Sequence, residues 1–237
     1  MTTYAVGSSP RIAVRRRAPV RTQLLWLGGG LVLAFIVPYV LADRLDLPRD
    51  LYYGLYGAFT VGLFATWARA TGQALGEMLR PRLLVAVALG VVFAGVMAAV
   101  VLAGDAGTRP EGLELAGALA WRGVWYGLAD GLLLSAFPIL AVFAAFASSS
   151  LRRRVLGKVA IGLVALVASL GMTAAYHAGY SDFRSEKLAK PVAGDVLWSI
   201  PTLVTLNPVG APIAHVGVHV TAVLHDSETD LYLPPHR

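Results

Sequence analysis

The chain of 237 residues contains no cysteine and few charged residues. Without thiols it forms no disulfide, no thiolate zinc site and no cysteine nucleophile, so a bound metal would use imidazole, carboxylate or water as ligands. Charged residues make up 14% of the sequence, against roughly 25% in soluble globular domains. Together with 57% hydrophobic residues and a mean hydropathy of +0.65, this shortage of charge indicates an integral membrane protein.

The apolar residues form long runs that are separated by short polar links. Each run has about the 20 residues that a helix needs to cross a hydrocarbon core of roughly 30 Å. The predicted spans are Gln23–Ala42, Leu51–Ala68, Leu83–Leu102, Val124–Ala147, Val155–Tyr180 and Val196–Leu224. We therefore expect an all-α fold, a polytopic helical bundle of about six transmembrane helices in the cell membrane. The predicted parts are a disordered basic cytoplasmic tail (1–22), a transmembrane helical domain (23–225) and a short C-terminal tail (226–237).

The last apolar run is interrupted by Pro201, Pro208 and Pro212, which a single straight helix accommodates poorly. We expect the last span to be broken or re-entrant, with Val196–Asn207 as a short interfacial segment. A helix is then expected to begin near Pro208, because proline is favourable in a first turn.

The formal net charge of +6 comes from arginines that flank the apolar runs. In membrane proteins the short loops rich in arginine and lysine lie on the cytoplasmic side. Such residues lie in the N-terminal tail, in the Arg69–Arg82 link and in the Arg152–Lys158 link, whereas the other loops carry balancing carboxylates. We therefore expect both termini in the cytoplasm, the lipid bilayer as the partner and no binding of nucleic acid.

One aspartate and three histidines lie inside the predicted spans, and each is a functional hypothesis because charge is costly in a bilayer. They are Asp130, His177, His215 and His219. His215 and His219 are four residues apart, so on a helix their rings lie one turn apart on one face and can converge on one ion. At about 1.5 Å per residue, Asp130, His177 and His215 all fall in the outer half of the membrane.

These side chains predict a zinc site in which His177, His215 and His219 are ligands and Asp130 is a fourth ligand or the general base. Imidazole and carboxylate ligands suit Zn²⁺, and an open coordination position activates a bound water for hydrolysis. Glu114 is a further catalytic acid or base.

Other polar residues are assigned to substrate binding or to support of the site. Arg122 at the mouth of a span and Asn207 in the turn-rich segment are the expected substrate contacts, and Ser135 and Asp182 are candidates for orienting ligands. Structural interpretations stay open beside these. His177 can hydrogen-bond to a neighbouring helix, and Arg122 can anchor its helix at the interface.

The C-terminal half resembles the CPBP family of intramembrane metalloproteases, whose motifs occur in the order Glu-Glu-x-x-x-Arg-Gly, Phe-x-x-x-His and His-x-x-x-Asn/Asp. The family's Glu-Glu pair would fall at Gly117 and Ala118. The resemblance implies metal-dependent cleavage of a membrane-anchored peptide. The similar residues are Arg122-Gly123, Thr173-x-x-x-His177 and His215-x-x-x-His219.

A second resemblance is to membrane hydrolases of the alkaline-ceramidase and adiponectin-receptor kind, which combine Asp, Ser and a final His-x-x-x-His pair around zinc. Asp130, Ser135, His177, His215 and His219 supply these residue types. Two kinds of function therefore remain open. One is a membrane-embedded zinc-dependent hydrolase acting on a lipid or a membrane-anchored peptide, and the other is a non-enzymatic membrane protein, such as a permease or an accessory subunit of a membrane complex.

Overall fold

In the computed structural model, which describes residues 18–229 and 231–233, the chain is helical and these residues contain no strand. Most of the predicted basic tail lies outside the described residues, and the first helix begins at Val20. The main helices, in chain order, are α1 (Val20–Arg44), α2 (Arg49–Ala70), the short α3 (Leu75–Leu79), α4 (Leu83–Leu102), α5 (Gly112–Ala145), α6 (Val155–Ala178), α7 (Ala189–Thr205) and α8 (Gly210–His225).

Four of these helices, α1, α4, α5 and α6, are long and apolar enough to cross a membrane. On α4, side chains such as Leu84, Val91 and Val92 are more than half exposed. Such surfaces are stable when lipid chains rather than water surround them. The predicted all-α fold is therefore confirmed, with four helices that could span a membrane, whereas the count of about six spans stays a prediction.

Helix α5 lies at the centre of the bundle. Within its most apolar window 78% of the residues are buried, whereas the corresponding windows of α1, α4 and α6 are 22%, 22% and 28% buried. The side chains of α5 are consequently surrounded by other helices on nearly every face. Polar groups on this helix can meet partners from several neighbours at once.

Stretches of π-helix interrupt α1 over Pro38–Arg44 and α5 over Leu119–Trp125 and Gly131–Ala136. In a π turn the backbone hydrogen bond joins residues five apart, whereas in an α turn it joins residues four apart. Side chains separated by five positions therefore come onto the same face. In the second π-helical stretch of α5, Gly131–Ala136, this change of period determines which side chains point toward α8.

Three glycines of α5, spaced four residues apart, let its backbone approach that of α8. A Cβ atom on Gly127 would lie 2.7 Å from the Cα of Val216, and one on Gly123 would lie 2.9 Å from Cγ2 of Val220. The third glycine, Gly131, faces Pro212 of α8 in the same way. Small residues at this spacing are a common means of close helix contact in membranes. They hold α5 and α8 antiparallel, with the histidines of α8 beside α5.

The break in the last apolar run lies at residues 206–209, between α7 and α8. Leu206 has a φ of 55° there. The buried amide of Asn207 donates hydrogen bonds to the carbonyls of Leu79, at 2.7 Å, and Pro81, at 2.9 Å. Most of the stretch expected to form a short separate segment belongs instead to α7, which continues through Pro201.

The two ends of the described chain lie at opposite ends of the bundle. At the start of α1, Gln23 accepts a hydrogen bond from the indole of Trp67 at 2.8 Å, and Trp67 lies near the end of α2, just before the link to α4. At the end of α8, the carbonyl of His225 accepts a bond from the amide of Gly107 at 3.0 Å. Gly107 follows α4, so α1 begins at the end where α4 begins and α8 finishes where α4 finishes.

Candidate metal site

Asp130 and Ser135 of α5 are brought onto one face by the π-helical stretch Gly131–Ala136. They are five residues apart, which is the spacing that a π turn repeats and an α turn does not. Both side chains are buried, with 4% and 0% of their surface exposed. The two polar groups therefore face α8 together, inside an otherwise apolar interface.

His215 and His219 of α8 contact these two side chains through the same ring atom. Nε2 of His219 lies 3.1 Å from Oδ2 of Asp130, and Nε2 of His215 lies 3.3 Å from Oγ of Ser135. The rings are nearly parallel, with centroids 6.3 Å apart, as expected for neighbours one helical turn apart. The ligand atoms of Asp130, His215 and His219 all lie within 4.8 Å of one another.

A carboxylate oxygen with two imidazole nitrogens is a ligand set that divalent metals such as zinc use in proteins. All three side chains are buried, so the protein would shield an ion held by them from bulk solvent. In addition, Nδ1 of His219 and Nε1 of Trp198 are buried without a hydrogen-bond partner among the described residues. Because unpartnered buried nitrogens are costly, a bound group that pairs with either atom would offset that cost.

A second buried polar cluster surrounds Asp195 of α7, which is fully buried. Its Oδ1 accepts a hydrogen bond from Ser135 at 2.8 Å, and its Oδ2 accepts one from Ser169 of α6 at 2.8 Å. Ser199, one turn further along α7, lies 2.8 Å from Ser169. Ser135 contacts both Asp195 and His215, so it joins the two clusters into one continuous polar chain.

A cavity of about 530 Å³ lies beside the histidines. Asp130, His177, His215 and His219 all line it. The rest of its wall is largely apolar and aromatic, contributed by α4 to α8 and by residues 180–183 and 231–232. The chemical groups of the cluster thus face a space large enough for a small molecule or part of a lipid.

Hydroxyls of four buried tyrosines form a network, and three of these tyrosines line the same cavity as Asp130. Tyr180 donates to Tyr52 at 2.6 Å, Tyr52 donates to Tyr176 at 3.1 Å, and Tyr176 lies 2.7 Å from Tyr126 and 2.8 Å from Tyr180. The ring of Tyr126 packs edge-on against His219, with centroids 4.6 Å apart. This wall restricts the ring of His219, which favours a preformed site.

His177, expected to be a ligand, lines the cavity but lies outside the group of converging ligand atoms. Its Nδ1 is hydrogen-bonded to the carbonyl of Thr173 at 2.9 Å, and its ring packs against Phe183. The structure therefore gathers three of the four predicted side chains, Asp130, His215 and His219.

The other predicted site residues do not line the cavity. Glu114 is exposed and lies about 24 Å along α5 from Asp130, at about 1.5 Å per residue. Arg122 is paired with Asp50 at 3.0 Å. Asn207 stabilises the break before α8 through its hydrogen bonds to Leu79 and Pro81, at the end of the bundle where α4 begins.

Sequence reasoning missed the cluster around Asp195 because this residue was interpreted as the end of a charged loop. The available signal was its spacing, since Ser199 follows four residues later and thus lies on the same helical face. It also missed the four-residue spacing of Gly123, Gly127 and Gly131, which is a recognised sign of close helix contact in membranes.

The site is therefore assembled from α5, α7 and α8, with α6 contributing Ser169. Residues that lie far apart in the sequence meet where the central helix changes its period. No protein-family model, no curated protein and no solved structure matches this chain.

Proposed function

We propose that this chain is a membrane-embedded metal-dependent hydrolase in which Asp130, His215 and His219 bind a divalent cation such as Zn²⁺. The observation that carries the proposal is the convergence of three buried ligand atoms within 4.8 Å of one another on the wall of a cavity of about 530 Å³. Two histidines and one carboxylate leave a coordination position for water or substrate, as catalytic zinc sites do.

The bound cation would supply Lewis acidity and a water that ionises near neutral pH. The chain's own residues do the rest. Asp130, in contact with His219, is placed to orient that water. His177 lies on the same cavity wall with Nδ1 donating to a backbone carbonyl, so its Nε2 can accept a proton from the attacking water and then pass that proton to the leaving group.

The cavity wall supports a substrate that is largely apolar. Met97, Leu197 and Val218 contribute aliphatic surface, and Phe183 and Tyr232 lie where the cavity reaches the end of the bundle. Such a wall suits an acyl chain or the apolar part of a membrane-anchored peptide, with the bond to be cleaved beside the histidines. We therefore propose a lipid or a membrane-anchored peptide as the substrate.

The distribution of the lining residues favours an enzyme over a permease. They extend from the middle of the bundle to the end at which α4 and α8 finish, and none of those described comes from residues 137–172 or 199–214. A pathway for transport would need polar or small residues along both halves. A chamber that occupies one half is what a hydrolase needs.

For the membrane arrangement, we propose seven crossings, formed by α1, α2, α4, α5, α6, α7 and α8. The basic bias of the N-terminal tail and of the Arg69–Arg82 link favours placing the start of α1 in the cytoplasm. The contact of His225 with Gly107 then supports a C-terminus on the outer side, where both ends had been expected in the cytoplasm. The six-helix expectation counted α7 and α8 as one broken span.

The residue types of the second resemblance support the hydrolase proposal, because Asp130, Ser135, His215 and His219 contact one another in pairs. The Glu-Glu pair of the intramembrane metalloproteases has no counterpart at Gly117 and Ala118. A lipid ester or amide is accordingly the first substrate class to examine.

The proposal is tested by assaying detergent-purified, zinc-loaded protein against fluorogenic lipid esters and amides and against membrane-anchored peptides. Hydrolysis is expected to stop in Asp130→Asn and on addition of a chelator, and to return when zinc is restored. Asp50→Asn is the matched control, since Asp50 pairs with Arg122 at the surface. Failure of the zinc-loaded wild type to cleave any of these substrates would contradict the hydrolase proposal.

A further inference from the structure

Ser135 occupies the junction between the two buried polar clusters. Its Oγ lies 3.3 Å from Nε2 of His215 and 2.8 Å from Oδ1 of Asp195, and the residue is fully buried. The convergence of Asp130, His215 and His219 does not by itself explain why a serine lies here on α5. An alanine would fill the same space without needing a polar partner.

The hydroxyl of Ser135 has one proton and two lone pairs. Its proton is directed to Oδ1 of Asp195. The other carboxyl oxygen, Oδ2, accepts a hydrogen bond from Ser169 at 2.8 Å, so Oδ1 remains the acceptor for Ser135. The lone pairs of Ser135 are left facing the side of His215.

Two of the distances in the cluster are close to the spacing of neighbouring ligands around one ion, and the ligand atoms of Asp130, His215 and His219 all lie within 4.8 Å of one another. With bonds of roughly 2.0–2.1 Å, a tetrahedral zinc ion keeps neighbouring nitrogen and oxygen ligands about 3.3 Å apart. Ser135 Oγ lies 3.3 Å from His215 Nε2, and Asp130 Oδ2 lies 3.1 Å from His219 Nε2. The oxygen of Ser135 thus lies at about the same distance from Nε2 of His215 as the carboxylate oxygen of Asp130 lies from Nε2 of His219.

We propose that Ser135 is a fourth donor of the metal site and that Asp195 is the residue that positions it. This inference rests on the proposed function, since it requires a metal at Asp130, His215 and His219. Asp195 accepts a hydrogen bond from the hydroxyl of Ser135, and this bond turns a lone pair of Ser135 toward the ion. A neutral hydroxyl is the weakest of the four donors, and a water or a substrate oxygen can replace it during hydrolysis.

Cobalt provides a direct test, because Co²⁺ occupies zinc sites and reports its ligands in its absorption spectrum. The chain has no cysteine, so a thiolate signal in a single-cysteine variant has one source. Cobalt-loaded Ser135→Cys is expected to show a thiolate-to-cobalt charge-transfer band that the wild type lacks. Ser169→Cys is the matched control, since Ser169 also contacts Asp195, and it is expected to show no such band.

The outcomes separate this inference from the proposed function. Cobalt binding by the wild type, with no charge-transfer band in cobalt-bound Ser135→Cys or with the same band in Ser169→Cys, would overturn the role of Ser135 alone. Absence of cobalt binding by the wild type would overturn the metal site itself, and this inference with it.

Two variants that introduce no thiol keep the inference testable if Ser135→Cys does not fold. Ser135→Ala and Asp195→Ala are each expected to weaken cobalt binding by about 10-fold to 100-fold, the usual effect of losing a weak ligand or its orienting partner. Asp195→Ala is also expected to shift the visible cobalt absorption, because the hydroxyl of Ser135 loses the acceptor that orients it. Ser169→Ala is the control and is expected to leave both measurements unchanged. Unchanged affinity in Ser135→Ala would overturn the inference.

Discussion

Asp130 and Ser135 are five residues apart on α5, and each contacts one of two histidines that are four residues apart on α8. The π-helical stretch Gly131–Ala136 makes these two spacings compatible, because a π turn places residues five apart on one face. In a regular α-helix Ser135 would point away from His215. The irregularity of the central helix therefore builds the site.

The glycine face of α5 is expected to be essential for holding this site together. In Gly127→Leu the new side chain begins 2.7 Å from the Cα of Val216, so the two helices must separate. We expect a loss of stability of about 3 kcal/mol or more, the upper range for overpacking, together with loss of bound zinc.

Thermal unfolding in detergent and metal content measure the effect of this change. Gly117→Leu is the matched control on the same helix, because nothing lies within 4 Å of a Cβ at Gly117. Equal stability and equal zinc content in the two variants would show that close contact at Gly127 does not hold α5 against α8.

His177 is expected to act in catalysis without binding the metal. It lines the cavity but lies outside the group of converging ligand atoms. In His177→Ala we expect the zinc content of the wild type and a rate of hydrolysis about 10²-fold to 10⁴-fold lower, the usual contribution of a general acid. Loss of zinc in this variant would instead make His177 a ligand, as the sequence alone suggested.

The two ends of α8 are expected to lie on opposite sides of the membrane. Because the chain has no cysteine, single substitutions can be labelled in intact cells with a membrane-impermeant thiol reagent. Asp105→Cys and Glu228→Cys are expected to react from the same side, and Glu77→Cys only after the cells are opened. Reaction of Glu228→Cys only in opened cells would show that α7 and α8 do not both cross.

Hydropathy and histidine spacing were enough to predict the class of the protein and the core of the site. Apolar runs are local in the sequence, so the all-α membrane bundle followed directly from them. The pairing of His215 with His219 also depends only on helical spacing. The proximity of Asp130 to these histidines was predicted from a similar depth in the membrane. This argument is weaker, but Asp130 does contact His219.

The remaining features depend on contacts between distant segments or on irregular backbone. No short sequence pattern predicts the π turn that brings Ser135 to His215. Asp195 was counted with a loop because residues 181–195 are rich in charged side chains, whereas α7 begins at Ala189. Glu114 lies at the surface. A charged residue that is not placed within a predicted span is therefore weak evidence for a site.

The metal content of the protein tests the central claim most directly. Protein purified without chelators and then exposed to zinc is analysed by elemental mass spectrometry, beside His215→Ala, His219→Ala and the control His225→Ala, whose Nε2 contacts the carbonyl of Gly104. We predict close to one zinc ion per chain in the wild type and in His225→Ala, and none in the other two variants. A wild type without metal, or equal zinc in all four proteins, would contradict the account.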